Sequence, residues 1–224
     1  MKSFVNCRKV MSMQTPAPSA LIIPSTRTII NLVIGGAIGL FVWECWARLF
    51  TPLIVGYPLE PAGLLDALAQ HLAGLNLPRL FREAVHYGIG LVGYPIIYFA
   101  ISRHVPRWPV ILDTIVIVTF SFSIFRDITA GMFTPAKFMF LTAVIALVFS
   151  RLLNRDERIA NCISWGNFTW FFALGLMAPI AGLSFYLLGE GGELSYMSLV
   201  GHVIYGYLAA LVFEKLEDRQ KSSI

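Results

Sequence analysis

The chain has 224 residues, 57% hydrophobic and only 13% charged, with a formal net charge of +4. Soluble domains carry about 25% charged residues, so lipid, not water, must solvate much of this surface. The positive balance is therefore a topological signal and not a nucleic-acid footprint, and Cys7, Cys45 and Cys162, with no C-x-x-C spacing, suggest neither a disulfide framework nor a zinc site.

Residues 1–27 hold Lys2, Arg8, Lys9 and Arg27 among Pro16, Pro18 and Pro24. No apolar core with a cleavage site follows, so a disordered cytoplasmic tail is expected, not a signal peptide. A transmembrane helical domain is expected over 28–214, and a short cytoplasmic tail over 215–224.

The first span is expected at 28–50. Gly35 and Gly39 form a small-x-x-x-small pair that lets a neighbouring helix approach closely. Glu44 and Arg48 are four residues apart and share a helix face. Residues 51–82 are broken by Pro52, Pro58, Pro61 and Pro78. Within them Leu64, Leu68, Leu72 and Leu75 recur at helical spacing, so an amphipathic helix is expected over about 62–76. It lies either on the membrane surface or on the protein's own outer face.

The second span, 83–102, opens through His86-Tyr87-Gly88 and carries small residues at Gly88, Gly90 and Gly93, with a kink expected at Pro95. The third, 108–125, has Asp113 near its start and is closed by Arg126 and Asp127. The fourth, 132–150, begins around Pro135 and Lys137. The fifth is expected at 163–188, with Trp165, Trp170 and Pro179. The sixth, 194–214, buries a titratable group: His202, between Gly201 and Gly206 and one turn before Tyr205.

Basic residues concentrate in the N-terminal tail, the loops after spans two and four, and the C-terminus. The positive-inside rule then puts both termini in the cytoplasm. If spans three and four merely dip into the bilayer, four crossings remain and the termini keep their side.

By a 1.5 Å rise per residue, Glu44 lies about 9 Å, His202 about 10–12 Å and His86 about 5 Å inside the outer end of its span. Arg48, Arg126 and Asp127 share that outer level, while the inner half shows little beyond Asp113 and Asn31. Ionisable groups at membrane depth are expensive and should be paired. Two readings stand. In one, a site opens outward with Glu44 as proton or cation acceptor and His86 and His202 as its partners. In the other, which leads, Glu44 pairs with Arg48, each histidine bonds the next helix, and the group is helix glue. A haem between the histidines suits a four-helix core, but their unequal depths argue against it. No dense ligand cluster suggests a metal, and the motifs G-x-S-x-G, H-E-x-x-H and the phosphate-binding loop are absent, so nothing supports an enzyme.

Trp165-Gly166 with Leu199-Val200-Gly201-His202-Val203-Ile204-Tyr205-Gly206 resembles the last two helices of small bacterial inner-membrane proteins of the YagU-like kind. His86-Tyr87-Gly88-Ile89-Gly90 is similar to the opening of the second helix in related families. The resemblance implies a four-helix core of spans one, two, five and six, with residues 108–152 as an inserted pair, in the bacterial inner membrane. It implies no molecular function.

The expectation is an all-α polytopic bundle of about six spans plus one interfacial helix. Its role is structural or partner-binding, and a proton- or ion-linked permease is the alternative. Its partners are the bilayer and either another membrane protein or a second copy. No cofactor, metal or nucleic acid is expected. The polar intramembrane cluster is expected to be Glu44, Arg48, His86, His202, Tyr205, Arg126 and Asp127. The packing glycines are expected to be Gly35, Gly39, Gly88, Gly201 and Gly206.

Overall fold

The computed structural model describes residues 23–153, 156–190 and 192–222. The tail expected at 1–27 falls, over 1–22, outside the described residues. Helices and their connections make up the described residues, with no strand among them.

Four helices are long and apolar enough to cross a membrane: α1 (Thr26–Val55), α3 (Arg79–His104), α4 (Trp108–Thr129) and α7 (Gly192–Lys221). The shortest has 22 residues, about 33 Å at 1.5 Å per residue, against a hydrocarbon layer of about 30 Å. Between α1 and α3 lies α2 (Pro61–Ala73). After α4 come α5 (Pro135–Leu153) and α6, a helix continuous over 157–180.

Glycine places α1, α6 and α7 at the centre. A Cβ on Gly35 would sit 2.5 Å from the Ala209 carbonyl oxygen, and one on Gly39 2.8 Å from that of Tyr205. On the other face of α7, a Cβ on Gly206 would sit 2.4 Å from the Gly166 Cα. Backbones approach this closely only where side chains are missing. Helices α1 and α7 run antiparallel. Asn31 Nδ2 donates to Glu217 Oε1 (2.8 Å) at one end of the pair, and Trp46 Nε1 to the Met197 carbonyl (2.8 Å) at the other. The end that carries Trp46 and Glu44 is called upper below.

Three helices widen into a π turn, each ending two residues before a proline: Trp46–Phe50 before Pro52, Ile89–Gly93 before Pro95, and Phe171–Met177 before Pro179. The cause is the missing N–H of proline. In the first turn the Thr51 N–H bonds back to Trp46 and in the second the Tyr94 N–H to Ile89, five residues each time. The next carbonyl in line, Ala47 or Gly90, then faces a proline with nothing to donate. Other parts of the chain supply the donor. The Leu59 N–H reaches the Ala47 carbonyl (3.0 Å), and the Tyr205 hydroxyl reaches that of Gly90 (2.5 Å). The kink expected at Pro95 is thus taken up by a π turn.

Two apolar cores flank the α6–α7 crossing. Trp43, Tyr94, Tyr98, Trp165, Tyr205 and Phe213 build one, toward α1 and α3. Val116, Phe120, Phe140, Val144, Trp170 and Tyr186 build the other, toward α4 and α5. Helices α4 and α5 pack on α6 and on each other, to one side of the bundle.

Two helix ends differ most from the sequence expectation, and the placing of α2 is decided. The fifth helix stops at Ile180 instead of 188, because Pro179 and the left-handed Gly182 (φ 78°) turn the chain back. Tyr186 then plugs the bundle, fully buried, with its hydroxyl bonded to Thr119 Oγ1. The last helix continues through Lys221 instead of ending at 214, held by Asn31–Glu217 and by Arg158–Asp218 (2.5 Å). Helix α2 packs against the protein: Leu64 joins the second core and Asp66 pairs with Arg82 (2.7 Å), while Leu72 and Leu75 stay exposed.

Candidate functional site

Polar groups gather at both ends of the bundle. At the upper end the Glu44 carboxylate has both oxygens engaged. Arg48 Nε donates to Oε2 (2.5 Å), and His86 Nε2 lies 3.0 Å from Oε1. Arg48 reaches further to Glu83 Oε2 (3.0 Å) and the Tyr87 hydroxyl (3.5 Å). One glutamate thereby ties α1 to α3 through two bases.

His202 does not join this group. Its ring is buried and its Nδ1 lies 3.3 Å from Thr169 Oγ1. The Thr169 hydroxyl donates to the Gly166 carbonyl (2.8 Å), so its oxygen is left to accept from His202. The indole of Trp43 contacts both histidines, with ring centroids 5.6 Å from His86 and 6.0 Å from His202. Tyr205 is committed to the Gly90 carbonyl.

Arg126 and Asp127 form a separate site. Asp127 accepts from Lys137 Nζ (2.5 Å), which also donates to the Met132 carbonyl (3.1 Å). Their side chains are only 2% and 8% exposed, and Arg126 reaches Asp127 at 3.4 Å. The single cluster expected from sequence is therefore three. Residue counting fixes depth but not position around the bundle, and Arg126 and Asp127 stand on α4, which packs on α5 and α6.

Gly88 needs a parallel correction. A Cβ there would meet nothing within 4 Å, whereas one on Gly90 would meet Leu40 at 2.9 Å and one on Gly36 the Leu91 carbonyl at 2.5 Å. Gly88 precedes the π turn, whose extra residue rotates the helix face that meets α1. Gly201 does pack, against Trp46.

The lower half is also more polar than expected. Tyr98 donates to Glu214 Oε1 (2.9 Å), and Arg103 Nη2 reaches both Glu214 oxygens at 3.0 and 3.2 Å. Ser164 Oγ donates to the buried Asp113 at 2.7 Å. Arg103 and Glu214 stand at span ends, where a charge ordinarily meets water, so the sequence offered no signal that they pair.

A cavity of about 90 Å³ lies between α1, α3, α6 and α7, roofed by α2. Its apolar walls include Leu40, Trp43, Ile89 and Phe172, and His86, His202 and Tyr205 also line it. Among the described residues no three His, Cys, Asp or Glu side chains are grouped to hold a metal ion.

Fold and polar clusters together define a helical protein with four helices built to cross a membrane. No family model, curated protein or solved structure compared with the chain matches it.

Proposed function

We propose that the chain is a six-pass protein of the bacterial inner membrane, with both termini cytoplasmic and a structural or partner-binding role. The observation that carries this reading is the pairing of Glu44. Arg48 and His86 occupy its two oxygens, and Glu83 and Tyr87 extend the network. A proton or cation carrier needs an acceptor free to exchange its partner along a water path. This carboxylate is instead a tie between two helices, of the kind that intramembrane polar groups make.

Two more helices support six passes. Helix α5 has 19 residues, about 28 Å at 1.5 Å per residue, and α6 is somewhat longer. Sidedness is supported by the ion pairs. Arg103–Glu214 and Arg158–Asp218 share the lower end, and Arg48–Glu83 and Arg82–Asp66 the upper. The basic loops then make the lower end cytoplasmic. The resemblance to YagU-like proteins agrees with this location. A haem bridging His86 and His202 loses support, because Trp43 takes up the space against both rings.

The test is Glu44→Gln in reconstituted vesicles. A structural tie predicts modestly lower thermal stability, since the amide still hydrogen-bonds, and no change in ion permeability. Normal stability with loss of a pH-dependent flux would instead establish the permease.

A further inference from the structure

The cavity beside His202 has a composition that selects a ligand. Its walls are almost wholly apolar, with Leu40, Trp43, Ile89 and Phe172 among them. The polar groups it meets are mostly committed. The Tyr205 hydroxyl is bonded to Gly90 and the His86 Nε2 to Glu44. His202 is different. Thr169 holds its Nδ1 (3.3 Å), and the ring borders the cavity. With the Nδ1 hydrogen directed at Thr169, the neutral ring presents Nε2 as a lone-pair acceptor. The lining thus offers the His202 acceptor in a mostly apolar space.

Size narrows the class. About 90 Å³ is less than the roughly 150 Å³ of an apolar cavity that takes a benzene ring. A slender chain fits better than a ring system. The roof is α2, through Pro61, Leu64 and Leu65, and the chain turns at left-handed glycines on both sides of it, Gly56 (φ 84°) and Gly74 (φ 67°). Neither glycine has a neighbour within 4 Å of its Cβ position.

We propose that this cavity binds the hydroxyl end of a slender membrane-borne alcohol, of the long-chain or prenyl class. The hydroxyl donates to His202 Nε2 and the first carbons pack against Trp43 and Phe172. The tail leaves beneath α2. The site is independent of the role assigned to Glu44.

The test uses the full chain in lipid nanodiscs and a diazirine-bearing octanol as photoprobe. Adducts are mapped by mass spectrometry, with n-decanol and decyl methyl ether as competitors. Saturable labelling of Trp43, Phe172 or Met177 is expected, with decanol competing at least tenfold better than the ether, because only the alcohol can donate. Ala173→Leu, which fills the cavity, should abolish these adducts while the helical circular dichroism and elution volume stay unchanged. His202→Leu should erase the preference for alcohol over ether. Unsaturable labelling spread over lipid-facing residues would overturn the site. Equal competition by alcohol and ether in the wild type would overturn the ligand class, and that comparison needs no variant to fold.

Discussion

Gly206→Ala is the sharpest probe of the fold. The added methyl would lie 2.4 Å from the Gly166 Cα and 2.7 Å from its nitrogen. Both obstacles are backbone, so no side chain can rotate out of the way. Reaching an ordinary carbon contact of about 3.5 Å requires the α6–α7 crossing to open by about 1 Å. Overpacking of this kind costs about 1–3 kcal/mol. The intrinsic helix preference of alanine over glycine returns about 0.5–1 kcal/mol. The net is a loss of about 1–2 kcal/mol, and 1.4 kcal/mol is roughly a tenfold shift in the ratio of folded to unfolded protein. Gly88→Ala is the control. It gains the same preference and meets nothing within 4 Å, so it should stabilise slightly. Unfolding in mixed detergent micelles, followed by circular dichroism, should rank Gly88→Ala at or above wild type and Gly206→Ala well below. A Gly206→Ala protein as stable as wild type would refute the close crossing. Equal damage at Gly88 would refute the assignment of faces on α3.

Tyr205→Phe removes the donor that the π turn before Pro95 lacks, leaving the Gly90 carbonyl buried and unpartnered. It should cost about 1–3 kcal/mol in the same unfolding assay, with the cavity lining otherwise preserved. Asp127→Leu alone strands Lys137 and should destabilise by about 3–5 kcal/mol, whereas Asp127→Leu combined with Lys137→Met should recover most of that loss. Reporter fusions at Leu75 should read external, and fusions at Arg107 and the C-terminus cytoplasmic. An external C-terminus would refute the six-pass reading and the four-pass fallback alike, since both put it in the cytoplasm.

Composition and hydropathy made the helices legible, and the Gly35/Gly39 spacing announced a close helix contact on α1, though not that α7 makes it. The Glu44–His86 meeting was legible too, because both stand at the upper end of spans consecutive in the chain. Position around the bundle was not legible. Arg126 and Asp127 have the right depth but sit on α4, which packs on α5 and α6, and Lys137, ten residues away in sequence, claims Asp127 first. The π turns were signalled by Pro52, Pro95 and Pro179 only as irregularities. Their consequences are three-dimensional: carbonyls stranded at Ala47 and Gly90, donors recruited from Leu59 and Tyr205, and a helix face turned so that Gly90 packs and Gly88 does not. The Glu214–Arg103–Tyr98 group escaped notice because each member, taken alone, reads as an ordinary span end.

The most direct test of the structural reading is a double-mutant cycle on Glu44→Ala and His86→Ala, with unfolding free energy as the readout. A tie between α1 and α3 predicts a coupling of about 0.5–1.7 kcal/mol, the range measured for polar pairs inside membranes. Additive effects with zero coupling would contradict it: the 3.0 Å contact would then hold nothing together, and Glu44 would need another reason to stand at that depth.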